Sequence, residues 1–388
     1  MLTTITTVPI RTSQRVAEVS WFSDLCGGDT EYLGVLDNER RANFKHSGDI
    51  VLNAERLGFS KVLLPSAYTV GQDVLGFAAG IAPQTTTINL LTAIRTGEMH
   101  PPMLARAIST LDHILKGRLT INIINSDLPG LREDPALRYR RCAETIEILK
   151  QAWTSDRIKF RGEVYNIDLP ADPAKPYQQN GGPLLYFGGT SECAREVCAQ
   201  YCDTFLMWPE TEESMHETMK DMSARAVRFG RKLDFGLRIH VIPRETEGKA
   251  RDYVRKLMSK FDEQRGLEIR ARSEDSRSLG VVRQDKLRDE LADQDGYIEP
   301  LLWTGIGKVF SGCGGALVGD PDQIVGQLNR YMDMGFRAFI FSGFPLIEEA
   351  DEFARLVLGR LPNASLSILQ GRTPAVEPVT PLTTATLR

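Results

Sequence analysis

Within FGLRIHVI (235–242), Arg238 and His240 stand two positions apart, so on an extended strand both side chains project from one face. Phe235, Leu237, Ile239 and Val241 alternate with them and turn the other way. Arginine brings a permanent positive charge and a planar fork of donors suited to an oxyanion. Histidine can take or give a proton near neutral pH. A lone inward histidine is ordinarily a satisfied core residue, but an inward arginine beside it is expensive unless something pairs with it. The pair therefore points to a face that binds or reacts.

A second stretch, LLYFGGTSE (184–192), runs an apolar strand into Gly188-Gly189, then two hydroxyls, then a helix. Free backbone N–H groups and the positive end of a helix dipole would meet an anion there, with Thr190 and Ser191 adding donors. Neither a Walker lysine motif nor GxGxxG is present, which weakens ATP and dinucleotide readings. The pattern also suits an ordinary glycine-containing strand–helix turn.

Other candidates are weaker alone. Trp208 can wall a planar ligand or simply pack. Asn122 and Asn125 interrupt an apolar strand with amides that need partners. Arg95 ends another strand, and Arg138-Tyr139 places a guanidinium and a phenol at a helix start. The cysteines at 26, 142, 193, 198, 202 and 313 form no CxxC pair, and the five histidines form no HExxH, so no metal site is expected. Buried thiols in a reducing compartment are the expectation.

These residues need a scaffold. Short apolar stretches recur at 16–22, 61–64, 88–94, 119–124, 183–187, 204–207, 235–242 and 337–341, with helical patterns between them. Continuous apolar runs suit parallel strands buried on both faces, and eight strands alternating with helices predict an α/β TIM (β/α)8 barrel. Long insertions follow strand 4, with a hairpin near 158–167, and strand 7, with dense charge over 259–295. The chain divides into a flexible segment 1–15, a single barrel domain 16–362 and a flexible or partner-crossing tail 363–388.

With 42 % hydrophobic and 25 % charged residues and a net charge of −4, the chain reads as an ordinary globular protein. The acidic balance disfavours a nucleic-acid or anionic-membrane partner. Mean hydropathy is −0.23 and no apolar run is long enough to span a bilayer. The N-terminus lacks the apolar core of a signal peptide, so a cytoplasmic location is expected.

Taken in order, ERLGFSKVLLP (55–65), ARAISTLDHILKGRL (105–119), GPLLYFGGTSE (182–192), FGRKLDFGLRIHVIPRET (229–246), LWTGIGKVFSGCGGALVG (302–319) and FSGFPLIEEA (341–350) resemble the bacterial-luciferase-like flavin monooxygenases, in their alkanesulfonate monooxygenase branch. The resemblance implies a barrel that binds reduced FMN (FMNH2) delivered by a separate NAD(P)H-dependent FMN reductase. It implies reaction of that flavin with O2, oxygenation of a small organosulfonate, and C–S cleavage to sulfite and an aldehyde. A homodimer or homotetramer and a place in sulfur metabolism come with it. Asn122 and Tyr139, with Arg138 beside it, match flavin-contact positions. Gly189, Thr190 and Ser191 match the phosphate loop, and Trp208, Arg238 and His240 the substrate side. From the charged 259–295 segment, Arg288 is the expected contributor.

The chain departs from the family at the pocket. The family's SGYPH reads Ser342-Gly343-Phe344-Pro345-Leu346, its early histidine is Cys26, and its cysteine in the second loop is Val70. Phe344 and Leu346 are thus expected to make the pocket more apolar. The alternatives are the same flavin chemistry on a sulfone, amine, ketone or specialised metabolite, or a non-catalytic flavin-binding barrel.

Overall fold

A computed structural model describes residues 8–27, 29–66, 71–128, 130–171, 175–273 and 279–378. Eight parallel strands follow the expected apolar runs: β1 (Glu18–Phe22), β2 (Lys61–Leu64), β3 (Asn89–Arg95), β4 (Leu119–Ile124), β5 (Leu184–Gly188), β6 (Thr204–Met207), β7 (Asp234–Pro243) and β8 (Phe336–Ser342). Neighbours pair in chain order, β8 pairs with β1, and the closed TIM barrel follows.

Strand parity decides what faces where. Val19 and Trp21, Leu90 and Ile94, Ile121 and Ile123, and Phe339 and Phe341 point outward into one large core beneath the helices. Leu63, Leu91, Leu184, Tyr186, Ala338 and Ile340 fill the barrel interior. Each buried large apolar side chain contributes about 2 kcal/mol by area, so both layers favour closure. A charged network occupies the interior as well: Lys61 Nζ lies 2.7 Å from Glu18 Oε2, which also accepts from the Tyr186 hydroxyl, and all three are buried.

Helix starts carry side-chain caps. Asp320 forms a capping box with Gln323 ahead of helix Pro321–Met334, and Ser191 caps helix Glu192–Tyr201. The insertion after β4 holds helix Pro135–Thr154 and an antiparallel hairpin, Arg157–Arg161 with Asn166–Pro170. The one after β7 holds helices Glu247–Met258, Glu263–Ser273 and Leu279–Leu291, then a small antiparallel extension. β7 is ten residues long. Its first half pairs with β6 and its second half with strand Ala316–Gly319, while β8 runs along the other side.

The described parts of the segments expected to be flexible, or in the tail partner-crossing, make these contacts with the barrel. Thr12 donates to Asp234 through its amide and hydroxyl, both at 2.8 Å, and Arg11 pairs with Asp203. Asn363 Oδ1 accepts from the Val19 amide near the start of β1, Leu366 is buried in the barrel floor, and Gln370 and Arg372 reach Asp234 and Asp203. Buried carboxylates at the strand starts need these donors, which is why both ends dock. Residues 1–7 and 379–388 lie outside the described set.

Candidate active site

The C-terminal ends of the strands gather the candidates. In register, Gly188, Leu206 and Gly236 sit side by side on β5, β6 and β7. The 188–191 turn therefore leaves β5 at the rim, and Arg238 lies two residues further along β7.

Arg238 and His240 are 7 % and 4 % exposed. Arg238 Nη2 donates to Ser342 Oγ at 2.8 Å, Nη1 reaches the Ile239 and Ile340 carbonyls, and the guanidinium lies 4.7 Å from the Phe22 ring centroid. Among the described residues no carboxylate pairs with it, so burial alone pulls its pKa down. Ser342 Oγ is 2.7 Å from His240 Nδ1, and His240 Nε2 is 3.2 Å from the Cys313 carbonyl. A carbonyl only accepts, so the network assigns the hydrogen to Nε2 and leaves Nδ1 to accept from the serine hydroxyl. Burial first, then the Arg238 charge, hold the imidazole neutral, well below its ordinary pKa. The result is a fixed buried cation coupled through one hydroxyl to a neutral base.

The loop between residues 305 and 315 lies over this pair. Phe310 stacks on Phe344 at 5.1 Å and Phe344 on His240 at 5.4 Å, and the Cys313 thiol donates to the Arg238 carbonyl at 3.1 Å. Trp208 continues β6 against this loop, where a Cβ on Gly312 would come 3.3 Å from the indole. Phe344 thus packs beside His240. Leu346 does not: it is fully buried in the main core, its amide held by Asp29 at 2.8 Å and its carbonyl by Trp21. It opens helix Leu346–Leu356, whose inner face packs on the outside of the barrel, so its side chain faces the core and not the pocket.

The phosphate-type turn has a distinct signature. A Cβ on Gly188 would meet the Leu206 carbonyl oxygen at 2.8 Å, and one on Gly189 the Ala194 Cβ at 2.6 Å, so only glycine lets the backbone pass this close. Ser191 Oγ accepts from the Ala194 amide and donates to the Tyr139 hydroxyl at 3.0 Å, tying the turn to helix Pro135–Thr154. Thr190 Oγ1 is buried with no partner, which marks an unfilled donor beside the helix N-terminus. Arg138 pairs with Asp127 while its Nε stays unpartnered. Asn122, in register with Tyr186, is half-buried, and its side-chain amide makes no hydrogen bond to another described residue.

The remaining candidates divide. Cys26 is half-buried, its amide held by Asp24 at 2.7 Å and its sulfur near the Pro65 carbonyl. Val70 lies outside the described residues. Arg288 turns inward, but its guanidinium is engaged by Asp285 at 3.0 Å, Asp289 and the Gly307 carbonyl. Arg270, which the sequence did not single out, shares Asp285 and Gly307 with it. Arg95 is held by Ser126 and Glu98. Sequence reasoning also left Ser342 and Cys313 without roles. The signal was parity, since Ser342 pairs with His240 on adjacent strands, but it needs the knowledge that β8 neighbours β7. Of the cysteines expected to be buried, Cys193 is exposed.

Comparison with known proteins agrees with this geometry. A family model described as luciferase-like monooxygenase matches residues 18–338. A sulfoquinovose monooxygenase of Agrobacterium fabrum is 53% identical over 380 residues, spanning 97% of this chain and 98% of that protein. Another, from Novosphingobium aromaticivorans, is 46% identical over 364 residues, spanning 92% and 100%. A riboflavin lyase solved with modified FMN and riboflavin shares the fold, with TM-score 0.71 at 16% identity over 96% of this chain and 97% of that one. A barrel with this rim, matched over most of its length, belongs to the luciferase-like monooxygenase family.

Proposed function

We propose that this flavin-dependent monooxygenase uses FMNH2 and O2 to cleave the C–S bond of a small organosulfonate, with the sugar sulfonate sulfoquinovose as the first candidate. The observation that carries the reading is Arg238, a guanidinium buried at the barrel rim with no carboxylate partner among the described residues. A buried unpaired cation is costly, and a bound anion offsets that cost.

The rim residues fit FMN. The Gly188–Gly189 turn, the orphaned Thr190 hydroxyl, Ser191 and Arg138 would hold the phosphate, and Tyr139 and Asn122 would border the flavin. When bound, reduced flavin supplies the two electrons that let O2 oxygenate the substrate. The balance is sulfonate, O2 and FMNH2 giving aldehyde, sulfite, water, a proton and FMN. Arg238 binds and orients the sulfonate. His240, neutral with Nδ1 as acceptor, takes the proton from the carbon bearing sulfur once Ser342 rotates away, or through Ser342. Phe310, Phe344 and Trp208 exclude water. Phe344, where the family has tyrosine, makes that wall apolar. The same reading carries a separate NAD(P)H-dependent FMN reductase, a homo-oligomer and a cytoplasmic setting; no helix among the described residues is long and apolar enough to cross a membrane.

The test is sulfite release from sulfoquinovose and from simple alkanesulfonates, with FMN, a flavin reductase, NADH and air. Sulfite in step with substrate loss is expected, with sulfoquinovose fastest. Flavin reoxidation with no sulfite from any sulfonate overturns the reading.

A further inference from the structure

At the opposite end of the barrel, where β5, β6 and β7 begin, lies a cavity of about 420 Å³ bordered by Arg11, Lys150, Arg231, Lys232 and Arg372. These five cations face one lining carboxylate, Asp203, which is 4 % exposed. Asp203 Oδ1 takes Arg11, Arg231 and Arg372, the last two at 3.3 Å, and Oδ2 accepts from the Leu185 amide at 3.0 Å. Its acceptor capacity is therefore spent. The next carboxylate, Asp234, is taken up by Thr12 and Gln370.

The donors are not spent. Arg372 is 4 % exposed, and its Nε is buried without a partner, while Nη1 donates to the Gly182 carbonyl. Lys150 donates to the Tyr201 carbonyl and Lys232 is exposed; neither has an ion pair among the described residues. Burial pushes the Lys150 pKa down, and Arg231 and Arg372 add to the push while Asp203 opposes it. Gathering five like charges around one carboxylate is repulsive, and a structural staple for the chain ends would need only Arg11 or Arg372.

We propose that this basal pocket binds a small organic phosphate monoester, its dianion held by Arg372, Lys150 and Lys232 at a site remote from the reaction. A dianion offsets half of the net +4 set by five cations and one carboxylate, and guanidinium forks match its oxygens. The volume falls within the roughly 300–1,000 Å³ of ligand pockets, room for a sugar-sized body besides the phosphate. Asn180 and Thr154 on the lining supply polar edges for that body.

The test is calorimetric titration of the full chain with glucose 6-phosphate and with inorganic phosphate, in an amine buffer at constant ionic strength. Saturable one-to-one binding is expected, at least tenfold weaker in Lys150→Gln/Lys232→Gln and unchanged in Thr190→Val, which alters the other end of the barrel. Tighter binding of the sugar phosphate identifies the ligand as an ester. Binding of inorganic phosphate alone at this site overturns the ester assignment. Absence of saturable binding, equal affinity in the double variant, or loss only in Thr190→Val overturns the site. Should the double variant fail to fold, Lys232→Gln alone, at an exposed position, is expected to bind about threefold more weakly with unchanged turnover.

Discussion

Ser342 and His240 meet across adjacent parallel strands, hydroxyl oxygen to Nδ1 at 2.7 Å, and the direction of that bond is set from outside the pair. Arg238 donates to the same oxygen, so the serine proton points to the imidazole. The hydroxyl thereby ties the tautomer of His240 to the position of the guanidinium.

Removing the hydroxyl tests this coupling. Ser342→Ala deletes a donor to the neutral imidazole, worth about 1 kcal/mol. The expected outcome is a roughly fivefold loss in kcat and an upward move of the acidic limb of the pH profile, because protonation at Nδ1 becomes easier. An unaltered profile would reduce Ser342 to packing.

Arg238→Met separates function from stability. Removing a buried cation with no carboxylate partner is expected to leave Tm unchanged or higher, since the desolvation penalty disappears. kcat/KM is expected to fall by at least about a hundredfold, the scale of losing a charge-assisted contact of roughly 3 kcal/mol. A large Tm loss would mean the guanidinium is structural.

At the glycine turn, Gly189→Ala drives a methyl to 2.6 Å from Ala194 and must displace the helix start. Fluorescence titration is expected to show FMN binding weakened at least tenfold. Thr190→Val, which only removes the orphaned hydroxyl, should weaken it several-fold. Equal affinity in both variants would place the phosphate elsewhere.

Asp112 gives a stability signature remote from the reaction. Burial raises its carboxyl to about 7 despite bonds from Gln178, above the 3.8 of the free side chain. A folded pKa above the unfolded value means its contribution is full at low pH, declines above pH 4 and is lost as pH rises through 7. Asp112→Asn should lower Tm near pH 5, where an acceptor is lost, and flatten the Tm curve between about pH 4 and 7. A parallel curve would show that Asp112 does not titrate there.

Much of this was legible beforehand, for identifiable reasons. Inward parity at 238 and 240 follows from a period of two, and buried parallel strands write continuous apolar runs, so β7 and the barrel could be read directly. The glycine turn was visible as a strand–GG–hydroxyl–helix string. Leu346 was misplaced because motif adjacency to Phe344 says nothing about the helix that begins there, whose inner face belongs to the core. Arg270 and Cys313 were missed because their roles depend on how a long insertion folds back over β7, and no local pattern encodes that. The terminal segments looked unstructured since their polar residues serve carboxylates more than a hundred residues away.

That last arrangement bears on how the molecule is made. Asp234 is shared by Thr12 and Gln370, so its donors come from the first and the last parts of the described chain. A polypeptide emerging N-terminus first can assemble most of its strands during translation. Sealing the underside waits until Gln370 and Arg372 have been made, so strand pairing can precede closure of the floor, and a chain cut between Leu366 and Gln370 would leave Asp234 and Asp203 each short of a donor.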